Sequence, residues 1–138
     1  MVYGIGCDLC SIARMEKSLL GPHGAFFARR VFGPAEQAAL GLPLAEKEGT
    51  ARRTAHTVAS AAADFAAKEA FLKAAGTGLR EPFSLCEIEA VRLPGGAPAY
   101  RFSGRSAQWV ESRRLRAHLS LSHEDGMAMA YCILETEI

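Results

Sequence analysis

Three charged residues of this chain have the types and spacing to hold a metal ion beside a phosphate group. Asp8 stands near the end of an apolar run that begins at Val2, and a carboxylate in such surroundings needs a cation or hydrogen-bond donors. Glu69 and Lys73 are four residues apart and therefore share one face of a helix. Mg²⁺ is usually bound by one or two carboxylates together with phosphate oxygens. Asp8 and Glu69 could supply those carboxylates, and Lys73 could neutralise a phosphate oxygen.

These residues also have purely structural interpretations. Asp8 could cap a helix that begins near Ser11. The glutamate and lysine could form a surface ion pair, which stabilises an isolated helix by roughly 0.2–0.5 kcal/mol. The ion pair does not explain why Gly-Thr-Gly follows so closely. Gly76 and Gly78 favour a turn whose backbone N–H groups are free to meet an anion.

A polar stretch near the end of the chain alternates with leucines. On a strand, His118, Ser120 and Ser122 would share one face and the leucines the other, so one face is core and the other lines something polar or simply meets solvent. His118 and His123 are five apart and point to opposite sides, which argues against a shared metal. A triad of Ser120, His123 and Asp125 is disfavoured because no G-x-S-x-G turn is present.

Two glycines and two cysteines near the N-terminus suggest sites that the sequence does not support. Gly4-x-Gly6 is not a dinucleotide fingerprint, because the third glycine would fall on Leu9. Cys7 and Cys10 have the spacing of half a zinc site, but the other two cysteines each stand alone. We therefore expect four reduced thiols that fill space in the fold.

A strip of basic and apolar residues is expected on the first helix and the segment after it. Arg14 and Lys17 lie three apart, and Phe26 and Phe27 follow. Such a strip suits an acidic protein partner, although basic residues are more often a solvated helix face. Aromatic residues do not interleave with the bases, and sixteen basic residues against fifteen acidic ones give a net charge of only +1. Nucleic acid is therefore not an expected partner.

Apolar periodicity and turn residues predict an α+β fold with a long central helix packed on an antiparallel sheet. The alanine-rich segment 50–75 has no proline or glycine and ends before Gly76, which predicts that central helix. Pro94-Gly95-Gly96-Ala97 predicts a hairpin turn. The other predicted helices cover 11–20, 26–30, 35–40 and 106–114, and the predicted strands cover 2–9, 84–93, 99–102, 118–122 and 127–134.

Composition places the chain among globular proteins. With 138 residues, 49% hydrophobic and 22% charged, it is expected to form a single domain over 1–138. No stretch reaches eighteen apolar residues, so a membrane span is not expected. The first residues lack a basic segment leading into an apolar run, so a secretory signal is not expected either, and the predicted location is the cytoplasm.

Three motifs in this order resemble the signatures of the holo-acyl-carrier-protein synthases, a family of 4′-phosphopantetheinyl transferases. They are Gly-Ile-Gly-Cys-Asp-Leu at 4–9, Phe-Ala-Ala-Lys-Glu-Ala-Phe-Leu-Lys-Ala at 65–74 and Leu-Ser-Leu-Ser-His at 119–123. The resemblance implies a homotrimer that holds coenzyme A in clefts between subunits. It also implies transfer of the phosphopantetheine arm of coenzyme A to a serine of an acidic apo acyl carrier protein, with release of adenosine 3′,5′-bisphosphate.

The resemblance implies a role for each matching residue. Asp8 and Glu69 would bind Mg²⁺ on the diphosphate, and Lys73 would contact phosphate oxygens and assist catalysis. The carrier protein would dock on Arg14, Arg30 and Phe27. The coenzyme A pocket would be bordered by Gly76, Gly78, His118, Ser120, Ser122 and His123, with the histidines and serines contributed by the adjacent subunit.

The chain departs from the family pattern at two places. Members usually have a basic residue before Phe-Ala-Ala-Lys-Glu, whereas this chain has Asp64, for which we predict an ion pair with Lys68 four residues on. The spacer between Glu36 and Phe65 is also longer and could extend the helix or form a flap. Asp64 motivates an alternative hypothesis, a trimeric module that binds coenzyme A or carrier protein without transfer. The paired carboxylates would also suit a metal-dependent phosphohydrolase.

Overall fold

The computed structural model describes residues 1–44 and 51–137, with the side chains of 51–53 left out. The helices are α1 (Ile12–Leu20), α2 (Gly24–Val31), α3 (Pro34–Leu40), α4 (Ala51–Ala75) and α5 (Gly104–Ser112). The strands are β1 (Val2–Ser11), β2 (Ile88–Arg92), β3 (Pro98–Phe102), β4 (Leu115–Glu124) and β5 (Met127–Thr136). The predicted α+β class with a long central helix is confirmed.

The strands form two antiparallel sheets rather than one. A three-stranded sheet has the order β1-β5-β4, and β2 pairs with β3 in a separate ribbon. β4 and β5 join through Asp125 and Gly126, whose φ angles of 51° and 72° suit the tight hairpin turn that Asp-Gly favours. The predicted strand 84–93 is shorter, because Leu85–Glu87 form a 3₁₀ turn before β2 begins. The predicted helix start at Thr50, and the spacer residues 45–50, lie outside the described residues.

The central helix α4 packs against both β1 and β5, and also contacts β2. Its alanines allow this close packing, since Ala66, Ala67 and Ala70 are fully buried. The larger core residues lie toward its C-terminal end, where Phe71 meets Phe83 and Trp109 edge-on at ring-centroid distances of 5.4 and 6.3 Å. Among the helices described, none is both long and apolar enough to cross a lipid bilayer.

The two glycines of β1 determine how this strand crosses α4. A Cβ atom on Gly4 would overlap the carbonyl oxygen of Ala74, and a Cβ atom on Gly6 would overlap that of Ala70. Two residues of a strand span about 6.6 Å, and four residues of a helix span about 6 Å. Each advance of two residues along β1 therefore matches a retreat of four residues along α4. The next residue on this face of the strand is Asp8, and the same spacing places its backbone opposite the turn of α4 that contains Ala66. The glycines serve backbone packing rather than nucleotide binding.

Gly6→Ala is expected to lower the free energy of unfolding by about 1–3 kcal/mol, because the added methyl group forces β1 away from α4. Urea unfolding would measure this loss. Gly95→Ala is the matched control, since no heavy atom of the described chain lies within 4 Å of a Cβ atom at that turn position. The control should change stability by no more than about 0.5 kcal/mol. Equal stabilities of the two variants would contradict this account of the crossing.

Candidate active site

The first strand and the central helix bring Asp8 and Lys73 into direct contact. The Lys73 ammonium donates to Asp8 Oδ1 at 3.1 Å and to the carbonyl oxygen of Cys7 at 3.0 Å. The lysine side chain is 56% exposed and that of the aspartate 19%. Asp8 does not cap α1, because Ser11 does so by accepting from the Arg14 N–H at 3.3 Å. The capping interpretation of Asp8 is therefore wrong, and its carboxylate faces α4.

Glu69 is the second carboxylate of this site. Burial raises its pKa above the ordinary value, the negative charge of Asp8 raises it further, and Lys73 opposes the rise. Burial and the same two carboxylates raise the pKa of Cys10. Each of these two negative charges disfavours the ionisation of nearby acidic groups, and a divalent cation bound by both carboxylates would offset that effect. Two hard oxygen donors from separate elements fit Mg²⁺, which takes its remaining ligands from water and phosphate.

The glycines after α4 end the helix. Gly76 and Gly78 have φ angles of 82° and 64°, which are costly for residues with a Cβ atom. Their N–H groups donate to the carbonyl oxygen of Leu72 at 3.1 and 3.4 Å, as in the usual helix-ending motif. The expectation that these N–H groups are free to meet an anion is therefore wrong. Contact of the turn with coenzyme A stays a prediction.

The polar residues of β4 are not brought to Asp8 within one chain. His118, Ser120 and Ser122 are exposed on the face of the sheet opposite α4, as the alternation predicts. β5 lies between β4 and β1, so about 10 Å of sheet separates them from Asp8. His118 Nε2 lies 3.6 Å from Glu135 Oε1, and His123 is exposed near the end of the hairpin. One chain therefore presents two separate polar surfaces.

A groove borders the end of β1 that follows Asp8, although neither Asp8 nor Glu69 lines it. It has a volume of about 260 Å³ and lies between the end of β1, α1, α2 and α4. Arg14 and Phe27 line it, and Arg30 lies outside it on α2, with its guanidinium 5.9 Å from the ring centre of Phe26. Basic and apolar side chains thus border the approach to Asp8. The other lining residues are Leu9, Cys10, Ser11, Met15, Ser18 and Phe65.

Sequence patterns missed a buried ionic network on the other side of α4. The fully buried Lys68 forms an ion pair with Glu36 and donates to the carbonyl oxygens of Ile88 and Leu85 at 2.6 and 3.1 Å. Glu36 also accepts from the N–H groups of Gly33 and Ala90 at 3.1 and 3.0 Å. These bonds join α4 to α3 and β2. A lysine within an alanine-rich stretch was the only local signal of this network.

Asp64 pairs with Arg92 and not with Lys68. The Arg92 guanidinium donates to Asp64 Oδ1 at 3.1 Å, and the Asp64 side chain is only 5% exposed. The predicted pairing with Lys68 is wrong because that lysine is already committed to Glu36. Asp64 and Arg92 line a cavity of about 450 Å³ between α3, α4 and β2. This cavity contains neither Asp8 nor Glu69.

Asp64→Asn is expected to change how stability depends on pH. Burial, and then the charge of Glu36, raise the pKa of Asp64 to about 7, while Arg92 and Lys68 oppose the rise. The folded protein thus keeps a proton that the unfolded chain loses near pH 4, so the stability that Asp64 contributes falls as pH rises from about 4 to 7. Urea unfolding across this range should show the variant gaining stability relative to wild type. A pH-independent difference would contradict the prediction.

Solved structures share this fold. The crystal structure of holo-acyl-carrier-protein synthase from Neisseria meningitidis has a TM-score of 0.77 and 30% sequence identity, covering 99% of this chain and 100% of that chain. A holo-acyl-carrier-protein synthase from Bacillus anthracis, in complex with CoA (3′,5′-ADP), has a TM-score of 0.72 and 31% identity, covering 99% of each chain. The fold and the site thus define a small α+β transferase domain.

Sequence comparison specifies the family. The model of the 4′-phosphopantetheinyl transferase superfamily matches residues 4–132. Holo-acyl-carrier-protein synthase from Bordetella pertussis is 40% identical over 135 residues, which are 97% of this chain and 83% of that protein. The chain belongs to the 4′-phosphopantetheinyl transferase superfamily, within its holo-acyl-carrier-protein synthase family.

Proposed function

We propose that the chain transfers the 4′-phosphopantetheine arm of coenzyme A to a serine of an apo acyl carrier protein. The reaction depends on Mg²⁺ and releases adenosine 3′,5′-bisphosphate. The observation that carries the proposal is the contact of Lys73 with Asp8, in a chain related to a synthase solved with CoA (3′,5′-ADP), and the pKa of Glu69 raised partly by Asp8 supports it. Residues 1–138 act as one transferase domain in the cytoplasm, where the four free thiols stay reduced.

The residues of the candidate site have two roles in phosphoryl transfer: metal binding and neutralisation of phosphate charge. Asp8 and Glu69 would hold Mg²⁺, which would supply positive charge to neutralise the diphosphate. Lys73 contacts phosphate oxygens and stabilises the charge that develops on the leaving group. The serine oxygen of the carrier attacks phosphorus and its proton passes to a water molecule or a side chain at the site. The bond to adenosine 3′,5′-bisphosphate breaks with its electron pair on the departing oxygen. Positioning and charge stabilisation suffice for this chemistry, so no strong protein nucleophile is needed.

Intact-mass spectrometry tests the proposed transfer. Protein, coenzyme A and Mg²⁺ should add one phosphopantetheine to an apo carrier, and a carrier variant with alanine at the acceptor serine should gain nothing. No gain over a reaction without enzyme would reject the proposal. If the protein binds coenzyme A under the same conditions, the non-catalytic module would be correct. Release of phosphate without any carrier would favour the phosphohydrolase.

We propose a homotrimer in which one subunit completes the coenzyme A site of the next. The outer face of the three-stranded sheet supports this, because Ile5 and Leu9 are 56% and 61% exposed there and Met129 and Tyr131 lie beside them. Burial of this apolar face would place the β4 side chains near a neighbouring subunit, where they would border coenzyme A together with the turn after α4. Sedimentation equilibrium would test the assembly. The residues proposed to border coenzyme A in the trimer are His118, Ser120, Ser122 and His123 of one subunit and Gly76 and Gly78 of the next.

The groove beside Asp8 is the proposed docking site of an acidic carrier protein, with Arg14 and Arg30 as charged contacts and Phe27 as the apolar one. Arg30→Glu should raise the KM for the carrier roughly tenfold, with kcat nearly unchanged, because it alters encounter rather than chemistry. Steady-state kinetics at low and high salt would measure this effect, which salt should weaken. Arg101→Glu, an equal charge reversal on β3, is the control. Equal effects of both substitutions would contradict this docking site.

A further inference from the structure

We infer that Lys73 couples magnesium binding to diphosphate binding, so that the protein binds magnesium more weakly when no diphosphate is present. Its ammonium group contacts Asp8 Oδ1, an oxygen of the carboxylate that would bind the metal, and an arriving diphosphate draws the lysine away. The metal and the diphosphate then bind as a coupled pair rather than independently. This inference rests on the proposed function, because it takes Mg²⁺ and coenzyme A as the ligands of the site.

The contacts of Lys73 carry the inference. Two hydrogen bonds bind its ammonium group to β1, one to Asp8 Oδ1 at 3.1 Å and one to the Cys7 carbonyl oxygen at 3.0 Å. The side chain is more than half exposed and lies in the last turn of α4, so the ammonium group can leave β1 without disturbing the core. Lys68, one turn earlier, is fully buried in its own ion pair and cannot substitute for it.

Lys73 and a divalent cation compete for the same carboxylate. Mg²⁺ binds oxygen at about 2.0–2.1 Å, which would place it within a few ångströms of an ammonium group that contacts Asp8 Oδ1. Two cations so close repel strongly at a partly buried site. Magnesium alone therefore binds Asp8 either against this repulsion or after the lysine exchanges its two hydrogen bonds for bonds to water.

A diphosphate removes this conflict. Its oxygens offer Lys73 a new anionic partner, so Asp8 is released, and other oxygens of the same group complete the magnesium ligands. Each ligand therefore strengthens the binding of the other, and this coupling must be reciprocal. A lysine that only contacts phosphate would predict something different, since its removal would leave the affinity for magnesium alone unchanged.

Calorimetric titration of the full chain separates these cases. Mg²⁺ is titrated into wild type, Lys73→Met and Lys73→Gln, first alone and then with saturating coenzyme A, and no carrier protein is present. Both variants should bind magnesium alone at least about fivefold more tightly than wild type, and the gain from coenzyme A should shrink by a similar factor. Lys17→Met removes an equal charge from α1 and should behave as wild type. Thermal unfolding checks that each variant is folded.

The possible outcomes are distinct. Equal affinities of wild type and both Lys73 variants for magnesium alone would overturn the inference, even where wild type transfers phosphopantetheine normally. Equal tightening in Lys17→Met would also overturn it, because the effect would then reflect net charge. No magnesium binding to any of these proteins, with or without coenzyme A, would instead remove the metal assignment in the proposed function and the inference with it.

Discussion

Asp8→Asn is expected to lower the rate of phosphopantetheine transfer by roughly 100- to 1000-fold. The substitution removes one of two anionic oxygen donors, while the amide keeps nearly the same shape. Because Asp8 and Lys73 form a partly exposed pair, the variant should lose no more than about 1 kcal/mol of stability. Initial rates from intact-mass spectra at saturating Mg²⁺ would measure the effect, and thermal unfolding would confirm the fold.

Asp125→Asn is the matched control for this experiment. Asp125 is exposed in the β4–β5 turn with a φ of 51°, a conformation that asparagine tolerates well. The control should transfer at the wild-type rate. A rate for Asp8→Asn within about twofold of that control would show that this carboxylate does not bind the metal. The distinction does not depend on which group accepts the serine proton.

Lys68→Met is expected to lower the free energy of unfolding by about 3–5 kcal/mol, because it leaves one partner of a buried ion pair without its counter-charge. Glu36 would keep two backbone donors, while the carbonyl oxygens of Leu85 and Ile88 would lose theirs. Urea unfolding at equal protein concentrations would measure the loss. Concentration matters because subunit association would add to the apparent stability.

The exposed Lys17 supplies the control, since Lys17→Met should change stability by no more than about 0.5 kcal/mol. The double variant Glu36→Gln/Lys68→Met should lose less free energy of unfolding than the sum of the losses in the two single variants. In the double variant both charges are removed, so neither is left buried without a partner. Strict additivity of the two substitutions, or a loss below about 1 kcal/mol for Lys68→Met, would show that this ion pair does not anchor α4.

The two ionic groups of α4 serve different purposes because they lie on different sides of the helix. Lys68 and Asp64 face inward and join the helix to α3 and β2 through Glu36 and Arg92. Lys73 contacts β1, and both Glu69 and Lys73 are partly accessible. The ion pairs of Lys68 and Asp64 fix the rotation of α4 about its axis and its position along that axis. They thereby determine the position of Glu69 relative to Asp8. Residues that stabilise the fold and residues proposed to act in catalysis are thus neighbours on one helix.

Local patterns predicted much of the fold and the helix that carries two residues of the candidate site. Alternation correctly predicted which face of β4 carries His118, Ser120 and Ser122, and the alanine-rich composition predicted α4. The i, i+4 spacing correctly placed Glu69 and Lys73 on one helix face. The same rule failed for Asp64, because a buried carboxylate takes the cation that desolvation and packing bring closest, and that cation lay on β2.

The sequence by itself determined the helices, the strands and the residue types able to hold a metal and a phosphate, because these follow from backbone periodicity and the chemistry of each side chain. Only the tertiary structure decided the partners. The ion pairs Lys73–Asp8 and Lys68–Glu36 each connect segments that are distant along the chain. The groove beside Arg14 is likewise lined by residues from distant segments. The choice of ion-pair partner depends on the distance between packed elements, such as β1 and α4, and on which charged groups are desolvated there. Neither the distance nor the desolvation can be read from a local sequence pattern.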